Sequence, residues 1–163
     1  MLQLGDQYFA PNDFGSFYDT TTQSVAINSI AALRYGHTSV ANNVSIDSDG
    51  SHPTLITMAH AGVYNIQFSA QLEKVSGGGD AHIVFWLRVD GDDVPNSATS
   101  ITIKSGSKYL VAAWNFFQAV NAGGKVQIMW TQDDNVVIPW VGENNIIPYP
   151  ATPSVILTVT RVF

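Results

Sequence analysis

The stretch of residues 62–71 constrains the fold more than any other part of the sequence. It reads GVYNIQFSAQ and alternates strictly between apolar and polar side chains. Successive side chains of a β-strand point to opposite faces, so this period of two predicts a strand with one apolar and one polar face. The polar face carries amides and a hydroxyl but no charge: Asn65, Gln67, Ser69 and Gln71. We expect another copy of the chain to cover this face, the alternative being a solvated face without charges.

Charged residues are scarce in this chain of 163 residues. They make up 12% of the sequence, against about 25% in a typical soluble domain. So few charges cover the surface of a free monomer poorly, which predicts that the chain forms oligomers. The net charge of −6 argues against nucleic acid and anionic membrane as partners. The length fits one domain, and the absence of cysteine excludes thiol catalysis.

The N-terminal residues and the apolar runs bear on the location of the protein. No apolar run approaches the roughly 20 residues of a membrane-spanning helix. The first residues, MLQLGD, lack the basic start and apolar core of a secretion signal. We therefore expect no membrane partner, and maturation in the cytoplasm of the cell that makes the protein.

Segments with a period of two recur along the chain and are separated by turn residues. The turns include DSDG at 47–50 and GGGD at 77–80, in which Gly supplies positive φ and Asp bonds its own backbone. The predicted strands are residues 16–21, 55–58, 63–72, 82–89, 99–103, 109–120, 126–131, 136–140 and 154–162. This pattern predicts an all-β fold, a jelly-roll β-sandwich. We assign residues 1–13 to an N-terminal arm and 14–163 to the domain, and predict no strand in 28–49.

Two predicted strands have apolar side chains on both faces. In residues 82–89 the row opposite the core contains Trp86, and in residues 109–120 the second row contains Phe117. Exposed together, these aromatics would form larger patches than soluble monomers carry. Either a subunit interface or loops of the same chain, such as residues 28–49, cover them, and we favour the interface.

Several motifs resemble those of the complement globular-head and tumour-necrosis-factor jelly-roll superfamily. GVYNIQF at 62–68 resembles its G-x-Y-x-ϕ-x-F/Y strand. NAGGKVQI at 121–128 resembles its x-x-G-D-x-V-x-L turn, with Gly124 where the family usually has Asp. Residues 14–18 and 155–159 resemble the first and last strands, so the resemblance covers almost the whole chain. It implies a compact homotrimer with a jelly-roll fold that binds and assembles and does not catalyse.

The resemblance also implies which residues form the trimer interface. The outward rows of two neighbouring strands would face a three-fold axis, where amides bond across the axis and aromatic rings become buried. The implied interface residues are Asn65, Gln67, Ser69, Ala113, Asn115 and Phe117.

A narrower resemblance concerns structural proteins of tailed bacteriophages, including cyanophages. FWLRVDGDDVPNS at 85–97, followed by VAAWNF at 111–116, is similar to these proteins. It implies a virion protein, and our first hypothesis is a trimeric cement or decoration protein that stabilises the phage capsid. Its partner would be the major capsid protein. The arm would clamp a neighbouring capsid subunit through Leu2, Leu4, Tyr8 and Phe9.

The rival hypothesis is a tail-fibre or spike tip that binds a host receptor or a carbohydrate. In the Pro-rich loop 139–150, Trp140 and Tyr149 would stack on a sugar or dock another protein. Alternatively, the two rings cover the edge of the sandwich. A glycan-degrading enzyme using turn carboxylates is a third hypothesis. Because the chain has no G-x-S-x-G motif and no cleft can be argued from sequence, we predict that it is not an enzyme.

Acidic turns offer a candidate calcium site, if two of them meet at one end of a jelly roll. The residues concerned are Asp90, Asp92, Asp93, Asp133 and Asp134. The alternative is that these turns are simply solvated. The four histidines show none of the local spacings of a metal site. We expect no cofactor.

Overall fold

The computed structural model describes residues 13–143, 146 and 148–163. The regular structure of these residues consists of fourteen β-strands. In chain order they are β1 (Phe14–Asp19), β2 (Gln23–Ser24), β3 (Ile30–Ala32), β4 (His37–Asn42), β5 (Val44–Asp47), β6 (Leu55–Met58), β7 (Gly62–Lys74), β8 (Ala81–Val89), β9 (Asp92–Asp93), β10 (Thr99–Ile103), β11 (Tyr109–Val120), β12 (Lys125–Gln132), β13 (Val136–Ile138) and β14 (Val155–Arg161). None of the described residues belongs to a helix long and apolar enough to cross a membrane.

The strands form two antiparallel sheets, which confirms the predicted all-β fold and is compatible with a β-sandwich. The first sheet has the order β2-β13-β7-β14-β1-β4. Here β13 and β14 pair with different segments of β7 along the same edge, and β11 pairs with the opposite edge of β7. The second sheet has the order β10-β8-β12-β6-β5, with β3 beside β12 and β9 beside β8. Strands that neighbour one another in space are therefore often far apart in the chain.

The hydrophobic core lies between the sheets and contains the apolar rows that the period of two predicts. The inward row of β7 is at most 3% exposed from Tyr64 to Leu72. Its Phe68 meets Phe85 of β8 with 5.3 Å between ring centroids, and Phe85 stacks on Trp130 of β12 at 6.2 Å. The first of these contacts joins the two sheets and the second lies within the second sheet, so the predicted apolar face of residues 62–71 is confirmed as part of the core.

Residues 28–49, where we predicted no strand, contain β3, β4 and β5. β4 is exposed along its whole length and is held by backbone pairing with β1, with Ser16 opposite Val40. A strand at a sheet edge that buries no side-chain row needs no period of two, and the sequence HTSVAN shows none. β2 and β9 are two residues each, too short to leave a pattern.

Trp86 is covered by the chain itself. β8 and β9 form a hairpin around Asp90 and Gly91, whose φ angles of 50° and 93° fit a type I′ turn. The hairpin returns Asp93 over β8, where its Oδ1 accepts hydrogen bonds from Trp86 Nε1 at 2.8 Å and from Arg88 Nε at 2.7 Å. Trp86 is 9% exposed. For Trp86 the favoured subunit interface is wrong, because this side chain is already buried within its own chain.

Candidate assembly interface

The register between β7 and β11 brings together the six residues that the family resemblance assigned to a trimer interface. They form three cross-strand pairs on the outer face of the first sheet: Ser69 with Ala113, Gln67 with Asn115, and Asn65 with Phe117. Across two of these pairs, Asn115 Nδ2 donates a hydrogen bond to Asn65 Oδ1 at 3.2 Å. The six residues therefore share one continuous surface.

Two further strands, which we had not assigned to an interface, widen this surface. The outward residues of β14 lie beside those of β7, and the outward residues of β1 lie beside those of β14. We name the whole surface the assembly face. Its members are Phe14, Ser16, Tyr18, Asn65, Gln67, Ser69, Gln71, Val111, Ala113, Asn115, Phe117, Ile156, Thr158 and Thr160.

The assembly face carries no charged side chain and several exposed apolar ones. Phe117 is 65% exposed, Val111 56% and Ile156 41%. An ion pair borders the face at one end, where Lys108 Nζ lies 2.8 Å from Glu73 Oε1. Contiguous apolar surface without charge is typical of a protein–protein interface.

β11 is an edge strand of unusual composition. Its twelve residues, YLVAAWNFFQAV, include no charge, and within the described part of the chain it pairs with β7 alone. Natural proteins usually protect such an edge with charges, proline or a bulge, because its free N–H and C=O groups invite pairing with other chains. Trp114 fixes β11 to the core by packing on Phe68 at 4.8 Å and on Phe85 at 5.6 Å. A rigid, uncharged edge favours a state in which another chain covers it.

A cavity of about 490 Å³ lies at one end of the assembly face. The loop that follows β13 lines it through Pro139 and Val141, and β11 lines it through Tyr109, Leu110 and Val111. The cavity extends the apolar surface of the assembly face toward this loop.

Trp140 and Tyr149, the two candidate contact residues of the loop, are 43% and 37% exposed. The backbone N–H of Trp140 donates to Thr22 Oγ1 at 3.3 Å. Val141 and Thr152 form an isolated bridge that closes the loop. Both rings are thus presented on the surface by a loop that is tied to the sandwich.

Asp13, which we had assigned to the arm, is fully buried in the body of the domain. Its carboxylate accepts hydrogen bonds from Asn43 Nδ2 at 2.9 Å and from the Tyr64 hydroxyl at 3.1 Å. His60 Nδ1 lies 3.0 Å from it and Arg161 Nη1 3.7 Å from it. Burial, with the charge of Asp13, raises the pKa of Tyr64 to about 12. The predicted arm contacts Leu2, Leu4, Tyr8 and Phe9 lie outside the described residues.

The acidic turns lie apart. The turn at 90–93 follows the end of β8, and the turn at 133–134 follows the end of β12. Because β8 and β12 are antiparallel, these turns lie at opposite ends of the strand pair. The structure therefore does not bring together the carboxylates of the candidate calcium site, Asp90, Asp92, Asp93, Asp133 and Asp134. In the part of the chain that the structure describes, no group of three or more His, Asp, Glu or Cys is placed to hold a metal ion.

Both turns are instead engaged within the chain. The hydrogen bond from Arg88 holds the pKa of Asp93 below its usual range. The backbone N–H of His82 does the same for the pKa of Asp133. The Asp93 carboxylate thus stabilises the β8–β9 hairpin, and the Asp133 carboxylate links the end of β12 to the start of β8.

In comparisons with known proteins, no family model and no curated protein matches this chain.

Proposed function

We propose that the chain is a homotrimeric structural protein that self-associates through its assembly face. The observation that carries the proposal is the uncharged, partly apolar surface that β11, β7, β14 and β1 build side by side. Neighbouring copies would bury Phe117 and Ile156 and satisfy the amides of Asn65 and Gln67, as the apolar core and paired polar groups of a stable interface require.

We also propose that the two sheets are connected as a jelly roll. Strands β11, β7, β14 and β1 are neighbours in the first sheet, and β10, β8, β12 and β6 are neighbours in the second. Each sheet thus combines strands from distant parts of the chain, as the long connections of a jelly roll require. This order supports the resemblance to jelly-roll trimers, which in turn supports three as the number of copies.

The expected energies favour a robust assembly. Obligate interfaces bury roughly 2,000–5,000 Å², and their apolar part contributes about 25 cal/mol per Å². A single domain is stable by only about 5–15 kcal/mol. A trimer of this kind would therefore resist unfolding far better than its isolated subunits, which suits a particle that must survive outside a cell.

We further propose that the trimer belongs to the virion of a tailed bacteriophage, as a cement or decoration protein bound to the major capsid protein. Support comes from the resemblance of residues 85–97 and 111–116 to phage structural proteins, and from a surface suited to assembly rather than catalysis. The alternative, a tail-fibre or spike tip that binds a receptor or carbohydrate, is supported by the exposed rings of Trp140 and Tyr149.

The full chain is expected to sediment with three times the 17.6 kDa mass of one copy. Sedimentation equilibrium over a range of protein concentrations measures this mass without assuming a shape. A protein that remains monomeric at every concentration would contradict both the trimer and the role of the assembly face.

Deleting residues 1–12 tests the capsid part of the proposal separately. The shortened protein is expected to keep its trimer mass, because the assembly face lies in the body of the domain. The shortened protein should no longer bind phage particles from which the native protein is missing. Particles mixed with the shortened protein should therefore open their heads at a lower temperature than particles that carry the full chain. Co-sedimentation with particles and heat treatment measure both effects. Equal binding by the shortened and full chains would contradict the clamp, and labelling of tail tips by antibody would support the alternative.

A further inference from the structure

A groove of about 570 Å³, lined by both polar and apolar residues, lies apart from the assembly face. It opens beside β12, where β3 pairs at Met129 to Thr131 and β6 pairs at Lys125 and Val126, which leaves Gln127 between the two strands. The residues that line it include Ser24, Arg34, Asp49, His52, Thr54, Arg88 and Gln127. None of the lining residues is a member of the assembly face, so the groove stays available in the proposed trimer.

Arg34 differs from every other basic side chain of the chain. The remaining lysines and arginines each form an ion pair: Lys74 with Asp134, Arg88 with Asp93, Lys104 with Asp80, Lys108 with Glu73, Lys125 with Asp47 and Arg161 with Asp13. Arg34 has no ion-pair partner among the residues that the structure describes. Its Nη2 donates to the Thr22 carbonyl at 3.2 Å, and a guanidinium has five N–H donors. Most of its donors therefore remain available to a ligand.

The backbone that carries Arg34 is fixed by a buried side chain. Gln23 is 2% exposed; its Oε1 accepts from the Arg34 N–H at 2.9 Å and its Nε2 donates to the Arg34 carbonyl at 3.0 Å. Elsewhere along the groove, Gln127 Nε2 donates to Thr54 Oγ1 at 2.8 Å, and Thr54 Oγ1 donates to Asp49 Oδ2 at 3.1 Å. The groove is thus organised before any ligand arrives, which lowers the cost of binding.

Asp49, the carboxylate that lines the groove, forms no ion pair with Arg34 in the part of the chain that the structure describes. Its oxygens accept hydrogen bonds from the backbone N–H groups of His52 at 2.9 Å and Ser51 at 3.0 Å. These bonds, that of His52 first, lower the pKa of Asp49 to about 2. The carboxylate stays ionised and is held by its own turn, so the N–H donors of Arg34, rather than an excess of positive charge in the groove, are what this arginine offers to an incoming group.

We propose that this groove binds a saccharide that carries a carboxylate, with Arg34 pairing to the carboxylate. Arginine matches the two oxygens of a carboxylate with two parallel N–H bonds. The exposed hydroxyl of Ser24 and the Oε1 of Gln127 would meet sugar hydroxyls. The volume lies within the roughly 300–1,000 Å³ of ligand sites. Trp130 of the lining is 1% exposed, so its indole ring is not open to a stacking nucleobase.

Calorimetric titration of the full chain with trigalacturonic acid and with its neutral methyl ester tests the proposal. We expect the acid to bind about tenfold or more tightly than the ester, the size of one charge-assisted hydrogen-bonded pair. Arg34→Gln should remove this preference, and Arg34→Lys should keep part of it. Lys104→Gln is the matched control, since it removes one charge outside the groove and should leave binding unchanged.

Three results would overturn the proposal: no binding of the acid, equal binding of acid and ester, or undiminished binding by Arg34→Gln. A thermal melt shows whether the Arg34→Gln protein is folded, and Gln127→Ala provides a second variant that should weaken both ligands. The sedimentation mass of the native chain does not depend on whether the groove binds a saccharide. The groove proposal and the trimer proposal can therefore fail independently of each other.

Discussion

Replacing Gln67 with lysine is expected to dissociate the trimer into folded monomers. Gln67 lies in the middle of the assembly face, between Asn115 of β11 and Thr158 of β14, and its side chain is exposed. In the trimer, Gln67→Lys would place three like charges in a surface that offers no carboxylate. A buried charge without a partner costs several kcal/mol, and about 4 kcal/mol weakens association roughly a thousandfold.

Sedimentation equilibrium of the Gln67→Lys variant measures this change in mass. Circular dichroism tests whether the variant keeps its β-structure as a monomer. Ser100→Lys is the matched control, because Ser100 is exposed on β10 in the second sheet, opposite Val84. It adds the same charge away from the assembly face and should leave the mass unchanged. If Gln67→Lys keeps the native mass and the native dissociation constant, the interface lies elsewhere on the molecule.

The local sequence predicts the central part of the assembly face but not its width. The period of two in residues 62–71 separates the core row from the row of Asn65, Gln67 and Ser69, and the structure confirms that separation. The members on β14 were not predicted, because the β14 residues that β7 pairs with, such as Ile156 beside Ser69, are more than eighty positions away in the chain. A periodic pattern specifies which way a side chain points, whereas the order of strands in a sheet depends on the whole chain.

β8 and β11 both have apolar side chains on both faces, but only one of the two outer rows is covered within the described part of the chain. Trp86 and Phe117 both stand on the second apolar row of a strand, which predicts a covered surface for each. A hairpin covers Trp86 within the monomer, since Asp93 returns to accept its Nε1–H. Among the residues that the structure describes, none covers Phe117 in this way, and its side chain is 65% exposed. Pattern alone cannot separate these cases, because the cover of Trp86 is made by polar turn residues that carry no apolar signal.

The groove at Arg34 was missed for the opposite reason. A lone arginine in a stretch without strand periodicity gives no signal in the sequence, and only the pairing of every other cation makes Arg34 distinct. In a chain with so few charges, ion pairs form mostly between side chains that the fold brings together. That Arg34 is the arginine without an ion-pair partner among the described residues can therefore be recognised only from the structure.

Replacing Asp13 with alanine is expected to cause a large loss of stability. The fully buried carboxylate accepts hydrogen bonds from Asn43 and Tyr64 and lies beside His60 and Arg161, so it links the start of β1 to the end of β14. Removing one partner from a buried charged network costs about 3–5 kcal/mol, because the groups left behind are unpaired. For a chain of this size, that corresponds to a fall of roughly 10 °C in the melting temperature.

Thermal and urea unfolding at one protein concentration measure the loss. Asp13→Asn keeps the shape and one acceptor oxygen, and should fall between the native chain and Asp13→Ala. Asp92→Ala is the control, since it removes an exposed carboxylate from β9 and is expected to change stability by less than about 0.5 kcal/mol. If the Asp13→Ala protein is as stable as this control, the free energy of desolvating the buried carboxylate equals the free energy gained from its hydrogen bonds and ion pairs. Backbone pairing alone would then hold β1 against β14.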